Sequence, residues 1–432
     1  MKVEIFPGEL SGNVAAPGSK SIAQRMVACA LLARGTSVIS DYPDNDDCKA
    51  ALEIAQALGA IVVQKGNVVT IKGGFPNAFL SGIRQSKNEV FCGESGLASR
   101  MFIPIAALSE QHMVINGHGS LLKRSFENFE HILPPLGVQV ETNQGLLPVQ
   151  VKGPIVPGEV HMDGSISSQF LTGLLIALPR AGSTSSIHVS NLKSKPYISM
   201  TLEVMEQFGV KIQHDNMEHF TIENAVYSPR ELTVPGDWSG AAFLLVAGAL
   251  CAEEGLHITN IDHRITQADS AVLDVLKMAG VKMEITPHGV KVFASDVSAF
   301  EFDANECPDL FPPLAALAAF ADGVSTIYGV KRLIHKESNR GKTLQQEFAK
   351  ANIRIVLRDD EMKIYPAPVR RAIINSHQDH RIAMAATILG LAGGRVTIRG
   401  AECVSKSFPS FFDLVSKLQG KVQITSTANA QN

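Results

Sequence analysis

The chain repeats one pattern six times, and this repetition limits the folds open to it more than any other feature. In each copy, a polar turn rich in Gly, Ser or Asp precedes an apolar segment of helical length, and a β-branched strand follows. The turns that open the six copies lie at 18–21, 93–96, 164–168, 236–239, 307–309 and 379–381. Their spacing of roughly 70 residues exceeds the period of solenoid repeats, so each copy is predicted to be a small βαβ-type unit.

Six units divide into two sets of three, which predicts an α/β protein of two similar domains. A chain of 432 residues is too long for one ordinary core, so length alone also favours two domains. Segments 60–63 and 290–293 read as strands, and the Ala and Gly content of the helical segments indicates close packing around a buried axis. The Val-Pro-Gly sequence at 234–236 fits a boundary between the two sets.

Charge and cysteine content argue against several classes of protein. The formal net charge of −3 argues against a nucleic-acid-binding protein, which usually carries a basic surplus. No apolar run reaches the length of a membrane span, and residues 1–8 lack the long apolar stretch of a signal peptide. The six cysteines form no Cys-x-x-Cys pair, so we expect free thiols in a reducing cytoplasm, with neither nucleic acid nor membrane as a partner.

The polar turns also predict binding sites for anions. A helix N-terminus presents free backbone N–H groups and the positive end of the helix dipole. If the helices of each domain point one way and the two domains face each other, their N-termini would form an anion-binding cleft. Cations recur at these turns, although the dipole disfavours a cation there unless an anion is shared with it. These cations are Lys20, Arg25, Arg100, Arg124, Lys195, Lys336, Arg340, Arg381 and Lys406.

Each of these positions also has a purely structural explanation. A single cation can be a solvated surface charge, and the polar side chains at 167–169 can be helix caps. Asp309 can cap the helix that follows it. Lys336 and Arg340 are four residues apart and lie on one face if the segment is helical, and Glu337 between them can be a structural ion-pair partner.

Common ligand-binding motifs do not occur in the sequence. The turn at 18–21, Gly-Ser-Lys-Ser, lacks the Gly-Lys adjacency of a P-loop. The turn at 117–119, Gly-His-Gly, lacks the third glycine of a dinucleotide-binding site. No cluster of His, Cys and carboxylate residues has the chain spacing of metal ligands, so no metal site is predicted.

Seven short motifs resemble those of the EPSP synthase family. They are Pro17-Gly18-Ser19-Lys20-Ser21 with Arg25, Ser167-Ser168-Gln169-Phe170-Leu171, Ser194-Lys195-Pro196-Tyr197-Ile198, Pro308-Asp309, Lys336-Glu337-Ser338 with Arg340, Asp379-His380-Arg381, and Lys406-Ser407-Phe408-Pro409. One such motif is a weak signal, but seven in the right order over essentially the full chain are specific. The resemblance implies an α/β (α+β) fold of two similar domains, each of three βαβαββ units around a pseudo-threefold axis, with the active site in the interdomain cleft. It places 1–16 and 236–432 in one domain and 17–235 in the other.

The resemblance also implies an activity, the transfer of the enolpyruvyl group of phosphoenolpyruvate to the 5-hydroxyl of shikimate 3-phosphate in the shikimate pathway to chorismate and the aromatic amino acids. Shikimate 3-phosphate would contact Lys20, Ser21, Arg25, Ser167, Ser168, Gln169, Ser194, Tyr197, Asp309 and Lys336, with Ser167, Ser168, Ser194 and Lys336 on its phosphate. Phosphoenolpyruvate would contact Lys20, Gly96, Arg124, Gln169, Arg340, Arg381 and Lys406.

Three residues would carry the chemistry that the resemblance implies. Asp309 would be the base near the attacking hydroxyl, Glu337 the acid–base group near C3 of phosphoenolpyruvate, and Lys20 would assist proton transfer and stabilise charge. No metal or organic cofactor is expected, and we expect a monomer.

The sequence departs from the family pattern at several positions, and two alternatives therefore stay open. The departures are Glu94, Leu97, Ser125, Arg332 and Asn339. One alternative is a UDP-N-acetylglucosamine enolpyruvyl transferase, although the loop cysteine of that family has no counterpart in 116–128. The other is a catalytically inactive homologue that binds anionic metabolites.

Overall fold

The computed structural model describes residues 1–76, 88–334 and 336–425, which form two compact units. The first unit combines Met1–Pro17 with Pro235–Asn432, and the second is the continuous segment Gly18–Val234. The ranges expected from the sequence differ from this division by one residue at each crossing. Pro17 and Pro235 belong to the first unit, whereas the range 17–235 had placed both in the second.

Strands and helices alternate along the whole described chain. The strands are β1 (Lys2–Phe6), β2 (Gly12–Ala15), β3 (Gly35–Ser40), β4 (Ile61–Lys65), β5 (Val68–Gly73), β6 (Glu89–Phe91), β7 (His112–Asn116), β8 (Gln139–Asn143), β9 (Leu146–Lys152), β10 (Glu159–Asp163), β11 (Ser185–Ser190), β12 (Gln213–Asp215), β13 (His219–Ile222), β14 (Glu231–Thr233), β15 (Leu256–Thr259), β16 (Met283–Thr286), β17 (Gly289–Val292), β18 (Glu301–Asp303), β19 (Ser325–Tyr328), β20 (Arg354–Arg358), β21 (Glu361–Tyr365), β22 (Ala372–Asn375), β23 (Val396–Arg399) and β24 (Lys421–Thr425). The α-helices are α1 (Lys20–Leu32), α2 (Asp46–Ala57), α3 (Gly96–Ala106), α4 (Phe129–Ile132), α5 (Gln169–Ala177), α6 (Lys195–Gln207), α7 (Trp238–Cys251), α8 (Val272–Met278), α9 (Phe311–Ala318), α10 (Arg340–Lys350), α11 (His380–Ala392) and α12 (Phe411–Lys417).

Within the described residues, six four-stranded sheets share one arrangement of parallel and antiparallel neighbours, which confirms the predicted repetition of α/β units. In the first unit the strand orders are β22-β23-β1-β24, β2-β15-β17-β16 and β18-β19-β21-β20. In the second unit they are β10-β11-β13-β12, β14-β3-β5-β4 and β6-β7-β9-β8. The first two strands of each order are parallel, and the other pairings are antiparallel. A parallel pair needs a crossover connection. In the four sheets whose parallel strands are consecutive in the chain, the helix α3, α5, α9 or α11 lies in that crossover.

Helices α7, α9 and α11 pack against one another in the first unit, and α3 packs against α1 and α5 in the second. Helices α7 and α11 are buried around most of their circumference, as expected for helices that are apolar on all sides. Small residues allow these helices to lie close to their neighbours. A Cβ atom on Gly173 of α5 would lie 2.7 Å from the Arg100 carbonyl oxygen of α3, and one on Gly390 of α11 would lie 2.7 Å from the Ile5 side chain.

The sheets of the first unit join segments that are far apart in the sequence. Strand β1 lies between β23 and β24, so that Lys2 is paired with both Arg399 and Thr425. Strand β2 pairs with β15, although the whole second unit separates them along the chain. Within the described ranges, no helix is long and apolar enough to cross a membrane.

Candidate active site

In the first unit, the buried Arg340 lies at the centre of a group of three acidic side chains. Its side chain is 0% exposed and donates to Asp309 (Nη1–Oδ1, 2.9 Å), Glu337 (Nη2–Oε2, 2.6 Å) and Asp379 (Nε–Oδ2, 2.9 Å). Arg340 begins α10, whereas Asp309 lies in the turn that leads into α9 and Asp379 caps α11. One guanidinium group therefore joins the starts of three helices, and Asp379 is a site residue to which sequence reasoning assigned no role.

Asp309 is itself surrounded by three cations. Its Oδ1 atom accepts from Lys336 Nζ at 3.2 Å as well as from Arg340, and its Oδ2 atom accepts from Arg381 Nη2 at 3.0 Å. Burial alone would raise the pKa of Asp309, but the three neighbouring cations outweigh burial and hold this pKa well below its usual value. Burial lowers the pKa of Lys336, and the charge of Asp309 opposes that shift. Since the side chains of Lys336 and Asp309 are 26% and 19% exposed, an incoming anion can reach these charges.

A second buried carboxyl group, that of Asp269, lies at the same end of the first unit. Ser239, in the first turn of α7, donates a hydrogen bond to Asp269. Burial, and then the nearby charge of Asp309, raise the pKa of Asp269 to about 7. The starts of α7, α9 and α11 thus lie close together within the first unit. Sequence reasoning did not select Asp269, because it lies in none of the seven motifs and in none of the six turns that open the units.

Asn339 and Lys406 complete the candidate residues of the first unit. The Asn339 side chain accepts from the Lys342 N–H group at 3.3 Å and caps α10. Asn and Asp are comparably good caps, so this departure from the family pattern keeps the helix start intact. Lys406 lies at the end of a turn over 401–406 and is 6% exposed.

In the second unit, Lys20 is the first residue of α1 and pairs with an acid that the sequence did not predict as a partner. Its Nζ atom lies 2.8 Å from Asp47 Oδ2, in the first turn of α2, and Asp47 is buried. The two helices begin near each other, so α1 and α2 bring this pair together. Lys20 can contact a bound anion only if its own contact with Asp47 weakens.

Arg25 is more deeply buried than its predicted binding role requires. It is 1% exposed and donates to Thr201 Oγ1 at 2.8 Å. It also donates to the carbonyl oxygens of Ser21 and Tyr197, at 2.8 and 3.3 Å. Burial lowers the pKa of Arg25 to about 10. Arg25 therefore joins α1 to α6 and fixes the backbone of Ser21 and Tyr197, and contact of these three residues with a substrate ring stays a prediction.

Arg124 and Gly96 are in close contact in the second unit. A Cβ atom on Gly96 would lie 2.2 Å from Arg124 Nη1, and Arg124 is 8% exposed. Arg100 lies beside them and donates to Gln169 Oε1 at 2.9 Å and to the Ser125 carbonyl oxygen at 3.0 Å. Burial, and then the charge of Arg124, lower the pKa of Arg100 to about 9. Gly96 therefore leaves room for the Arg124 guanidinium. The sequence-based expectation was that this glycine leaves room for a substrate, and contact with phosphoenolpyruvate stays a prediction.

The three serines predicted to bind a phosphate follow two neighbouring strands. Ser167 and Ser168 follow β10, and Ser194 follows β11, which is parallel to β10. The two loops are hydrogen-bonded to each other, from Lys193 N–H to the Gly164 carbonyl oxygen at 3.3 Å. Ser194 has a left-handed backbone with φ of 59°, a conformation that non-glycine residues adopt rarely and that is concentrated at functional sites.

Glu94, a departure from the family pattern two residues before α3, has a structural role. Its Oε2 atom accepts from the N–H and the hydroxyl of Ser120, at 2.9 and 2.8 Å, and its Oε1 atom lies 3.9 Å from His118 Nδ1. Glu94 thereby fastens the turn over Gly119–Lys123, which leads directly to Arg124. The structure also shows the surroundings of three further departures. Leu97 is buried, the Ser125 carbonyl group accepts from Arg100, and the charge of Arg332 lies close enough to help lower the pKa of Lys336.

Strand pairing also assembles a group that chain spacing could not indicate. Glu159, His161 and His188 of the second unit place potential metal-ligating atoms within 4.8 Å of one another. The sequence-based expectation that no metal site exists rested on spacing along the chain alone. These three residues lie on two strands, and they take no part in the clusters described above.

Comparison with known proteins identifies the family. The sequence profile of EPSP synthase (3-phosphoshikimate 1-carboxyvinyltransferase) matches residues 6–415. A 3-phosphoshikimate 1-carboxyvinyltransferase from Clostridium kluyveri is 33% identical over 97% of this chain and 98% of its own. The protein of the same name from Clostridium beijerinckii is 34% identical over 97% of both chains.

Two solved structures share the fold. An EPSP synthase from Acinetobacter baumannii has a TM-score of 0.81 at 24% identity and covers 98% of this chain and 100% of its own. The enolpyruvyl transferase NikO from Streptomyces tendae has a TM-score of 0.77 at 20% identity, with 98% of each chain covered. With a family profile matched over nearly the whole length and relatives at one-third identity, this chain belongs to the EPSP synthase family.

Proposed function

We propose that this chain transfers the enolpyruvyl group of phosphoenolpyruvate to the 5-hydroxyl of shikimate 3-phosphate, giving 5-enolpyruvylshikimate 3-phosphate and phosphate. The observation that carries the proposal is the family match over residues 6–415, which includes both structural units. The buried cation clusters of each unit support it, because both substrates are polyanions and repel each other unless cations stand between them.

In the first unit, we assign the cations to the charged groups of the substrates. Arginine binds carboxylate and phosphate groups through two parallel hydrogen bonds, so Arg340 and Arg381 suit phosphoenolpyruvate. Lys406 would act on the same substrate, and Lys336 would hold the phosphate of shikimate 3-phosphate. The packing of Arg340 and Arg381 against fixed carboxylates supports these roles, because their guanidinium groups are oriented before a ligand arrives.

In the second unit, we assign the loop serines to the phosphate of shikimate 3-phosphate. Ser167, Ser168 and Ser194 stand at the starts of α5 and α6, where free N–H groups favour an anion. Ser21, Arg25 and Tyr197 would contact the ring, and Lys20 and Gln169 would contact both substrates. Arg124, with space provided by Gly96, would hold phosphoenolpyruvate.

The reaction we propose is an addition followed by an elimination. The 5-hydroxyl attacks C2 of phosphoenolpyruvate while C3 is protonated, and the adduct then loses phosphate and a proton from C3. Asp309 would accept the hydroxyl proton, Glu337 would exchange the proton at C3, and Lys20 would assist proton transfer and stabilise charge. Arg124, Arg340, Arg381 and Lys406 would stabilise the leaving phosphate.

The charges around Asp309 give a reason for it to become a base only after the substrates bind. A general base works best when its pKa lies near the operating pH, and the cations hold the pKa of Asp309 well below that range. A substrate anion that shares Lys336 and Arg381 would offset part of their charge at Asp309. Substrate binding would therefore raise the pKa of Asp309 towards the value that catalysis requires.

We also propose a cytoplasmic location and a monomeric protein. All six cysteines are free and buried. Burial raises the pKa of their thiol groups, as at Cys29, Cys48 and Cys92. Buried neutral thiols fit a reducing compartment. The oligomeric state is testable by light scattering, which would give the mass of one chain, 46.3 kDa.

The activity is tested by turnover. We expect purified protein to release one phosphate for each 5-enolpyruvylshikimate 3-phosphate formed from the two substrates, measured by phosphate assay and mass spectrometry. UDP-N-acetylglucosamine should not replace shikimate 3-phosphate. Turnover only with that nucleotide sugar would contradict the proposal. Calorimetric binding of both substrates without turnover would instead support the inactive homologue.

Replacement of Gly96 by Ala should weaken phosphoenolpyruvate binding without unfolding the protein. The added Cβ atom would meet Arg124 Nη1 at 2.2 Å, so the guanidinium must move. A misplaced charge-assisted contact costs about 1.5–3 kcal/mol, which corresponds to a roughly 10- to 100-fold higher KM for phosphoenolpyruvate. Gly8→Ala is the control, because its Cβ atom would make only ordinary contacts at 3.5 Å. An unchanged KM in Gly96→Ala would show that Arg124 does not hold this substrate.

A further inference from the structure

A row of three histidines crosses one sheet of the second unit. In the strand register, His161 of β10 stands opposite His188 of β11, and His188 stands opposite His219 of β13. The rings of His161 and His188 are stacked, with centroids 4.6 Å apart and 10° between their planes. Glu159 lies two residues before His161 on the same strand, so its side chain is on the same face of the sheet.

Two of the three histidines in this row contact the same carboxylate oxygen. Glu159 Oε1 lies 2.9 Å from His161 Nε2 and 3.2 Å from His188 Nε2. Around a tetrahedral zinc ion with bonds of 2.0–2.2 Å, neighbouring ligand atoms are about 3.3–3.5 Å apart. The two distances to Glu159 Oε1 are shorter than this by up to about half an ångström, and all three ligand atoms lie within 4.8 Å of one another, so side-chain rotation can place them around one ion.

We propose that Glu159, His161 and His188 form a binding site for a divalent transition-metal ion such as Zn²⁺. Two imidazole nitrogens and one carboxylate oxygen are a ligand set that zinc uses in proteins when a fourth position is left open for water. The carboxylate between the rings makes the site suited to a cation and unsuited to an anion. The three side chains are 57%, 72% and 34% exposed, so an ion can reach them from solvent.

His219 supports this site as a positioning residue. Its Nδ1 atom lies 2.7 Å from His188 Nδ1, so one of the two nitrogens must carry the hydrogen. When His188 Nδ1 is the donor, His188 Nε2 is left with a lone pair directed towards Glu159 and the proposed ion. Metal-binding histidines usually donate their second N–H group to a fixed acceptor in this way.

The surface around the row is concave. His161, Asp163, His188, Glu218 and His219 are among the residues that line a cavity of ≈ 660 Å³. Its two further carboxylates, Asp163 and Glu218, add negative charge and favour a cation over an anion. The site lies outside the residues assigned to the enolpyruvyl transfer, so the proposal does not depend on that function.

Titration calorimetry with zinc chloride on chelator-treated protein tests the proposal. We expect one saturable site in the parent protein, lost on His188→Ala and, independently, on Glu159→Gln. His219→Ala should retain the site with affinity lowered roughly 10- to 100-fold, as for other outer partners of metal ligands. His112→Ala, at an exposed histidine of the neighbouring sheet, should bind zinc as the parent does.

Magnesium chloride should give no comparable binding, because Mg²⁺ prefers a shell of oxygen ligands. Circular dichroism on each variant shows whether the fold is retained. If His188→Ala does not fold, Glu159→Gln alone tests whether loss of a ligand abolishes zinc binding. Absence of saturable zinc binding to the parent protein would overturn the proposal. Zinc binding that survives both His188→Ala and Glu159→Gln would also overturn it, since the ion would then be held elsewhere.

Discussion

Glu337→Gln should lower the saturating turnover of the enolpyruvyl transfer by roughly 10²–10⁴-fold, the loss typical of a general acid–base group. Glutamine keeps the size of the side chain and can still accept from Arg340 Nη2, which lies 2.6 Å from Glu337 Oε2. The substitution removes only the exchangeable proton and the charge. Both substrates should therefore remain bound, with dissociation constants measured by calorimetry close to those of the parent protein.

The contact with Arg340 also supports the rival explanation that Glu337 is a structural ion-pair partner. In that case Glu337→Gln would lower the melting temperature or the substrate affinity and leave saturating turnover nearly intact. Glu284→Gln, at an exposed acid of β16, controls for a general effect of lost negative charge. A stable variant that binds both substrates and turns over at the parental rate would refute the catalytic role of Glu337.

Arg340→Leu should destabilise the first unit strongly, by about 3–5 kcal/mol, because it leaves the buried carboxylate of Asp379 without the cation that contacts it. Asp379 is 0% exposed and loses two contacts with Arg340, at 2.9 and 3.2 Å. The acidic neighbours outweigh burial and raise the pKa of Arg340, so the arginine is charged at every pH at which the protein folds. Urea unfolding followed by tryptophan fluorescence measures the effect, since the single tryptophan, Trp238, is buried in α7 of this unit.

Two further variants show whether charge burial is the cause. Arg340→Leu combined with Asp379→Leu should recover part of the lost stability, because no isolated charge then remains at Asp379. Arg358→Leu removes an arginine that is 81% exposed and should change the urea midpoint little. An equal midpoint for Arg340→Leu and the parent would mean that the cluster contributes nothing to the stability of the first unit.

The sequence predicted the repetition, the fold class and the family, because these depend on local signals. Each polar turn caps or begins a helix, and this holds for the start of α1 as for the start of α11. The Pro residues that follow Asp309 lie in the first turn of α9, where proline needs no hydrogen-bond donor. Such signals are contained in a few consecutive residues, so they can be recognised without a structure.

The partners of the predicted residues could not be inferred in the same way. Asp47 pairs with Lys20 across two helices, and Asp269 reaches the neighbourhood of Asp309 from a separate turn. The burial of Arg25 against Thr201 depends on the packing of α1 on α6, over 170 residues apart along the chain. Contacts of this kind depend on which strands and helices become neighbours. The histidine row across β10, β11 and β13 is the clearest example, since pairing alone aligns its members.

The pairing of β1 with β23 and β24 has a consequence for synthesis on the ribosome. In this sheet Lys2 of β1 pairs with Thr425 of β24. Strand β1 leaves the exit tunnel early, but it can pair with β24 only after nearly the whole chain has been translated. The second unit is one continuous stretch, Gly18–Val234, and all of its strands emerge before α7 does. Nascent-chain folding can therefore finish there first, while the apolar faces of β1 and β2 remain exposed and open to chaperones.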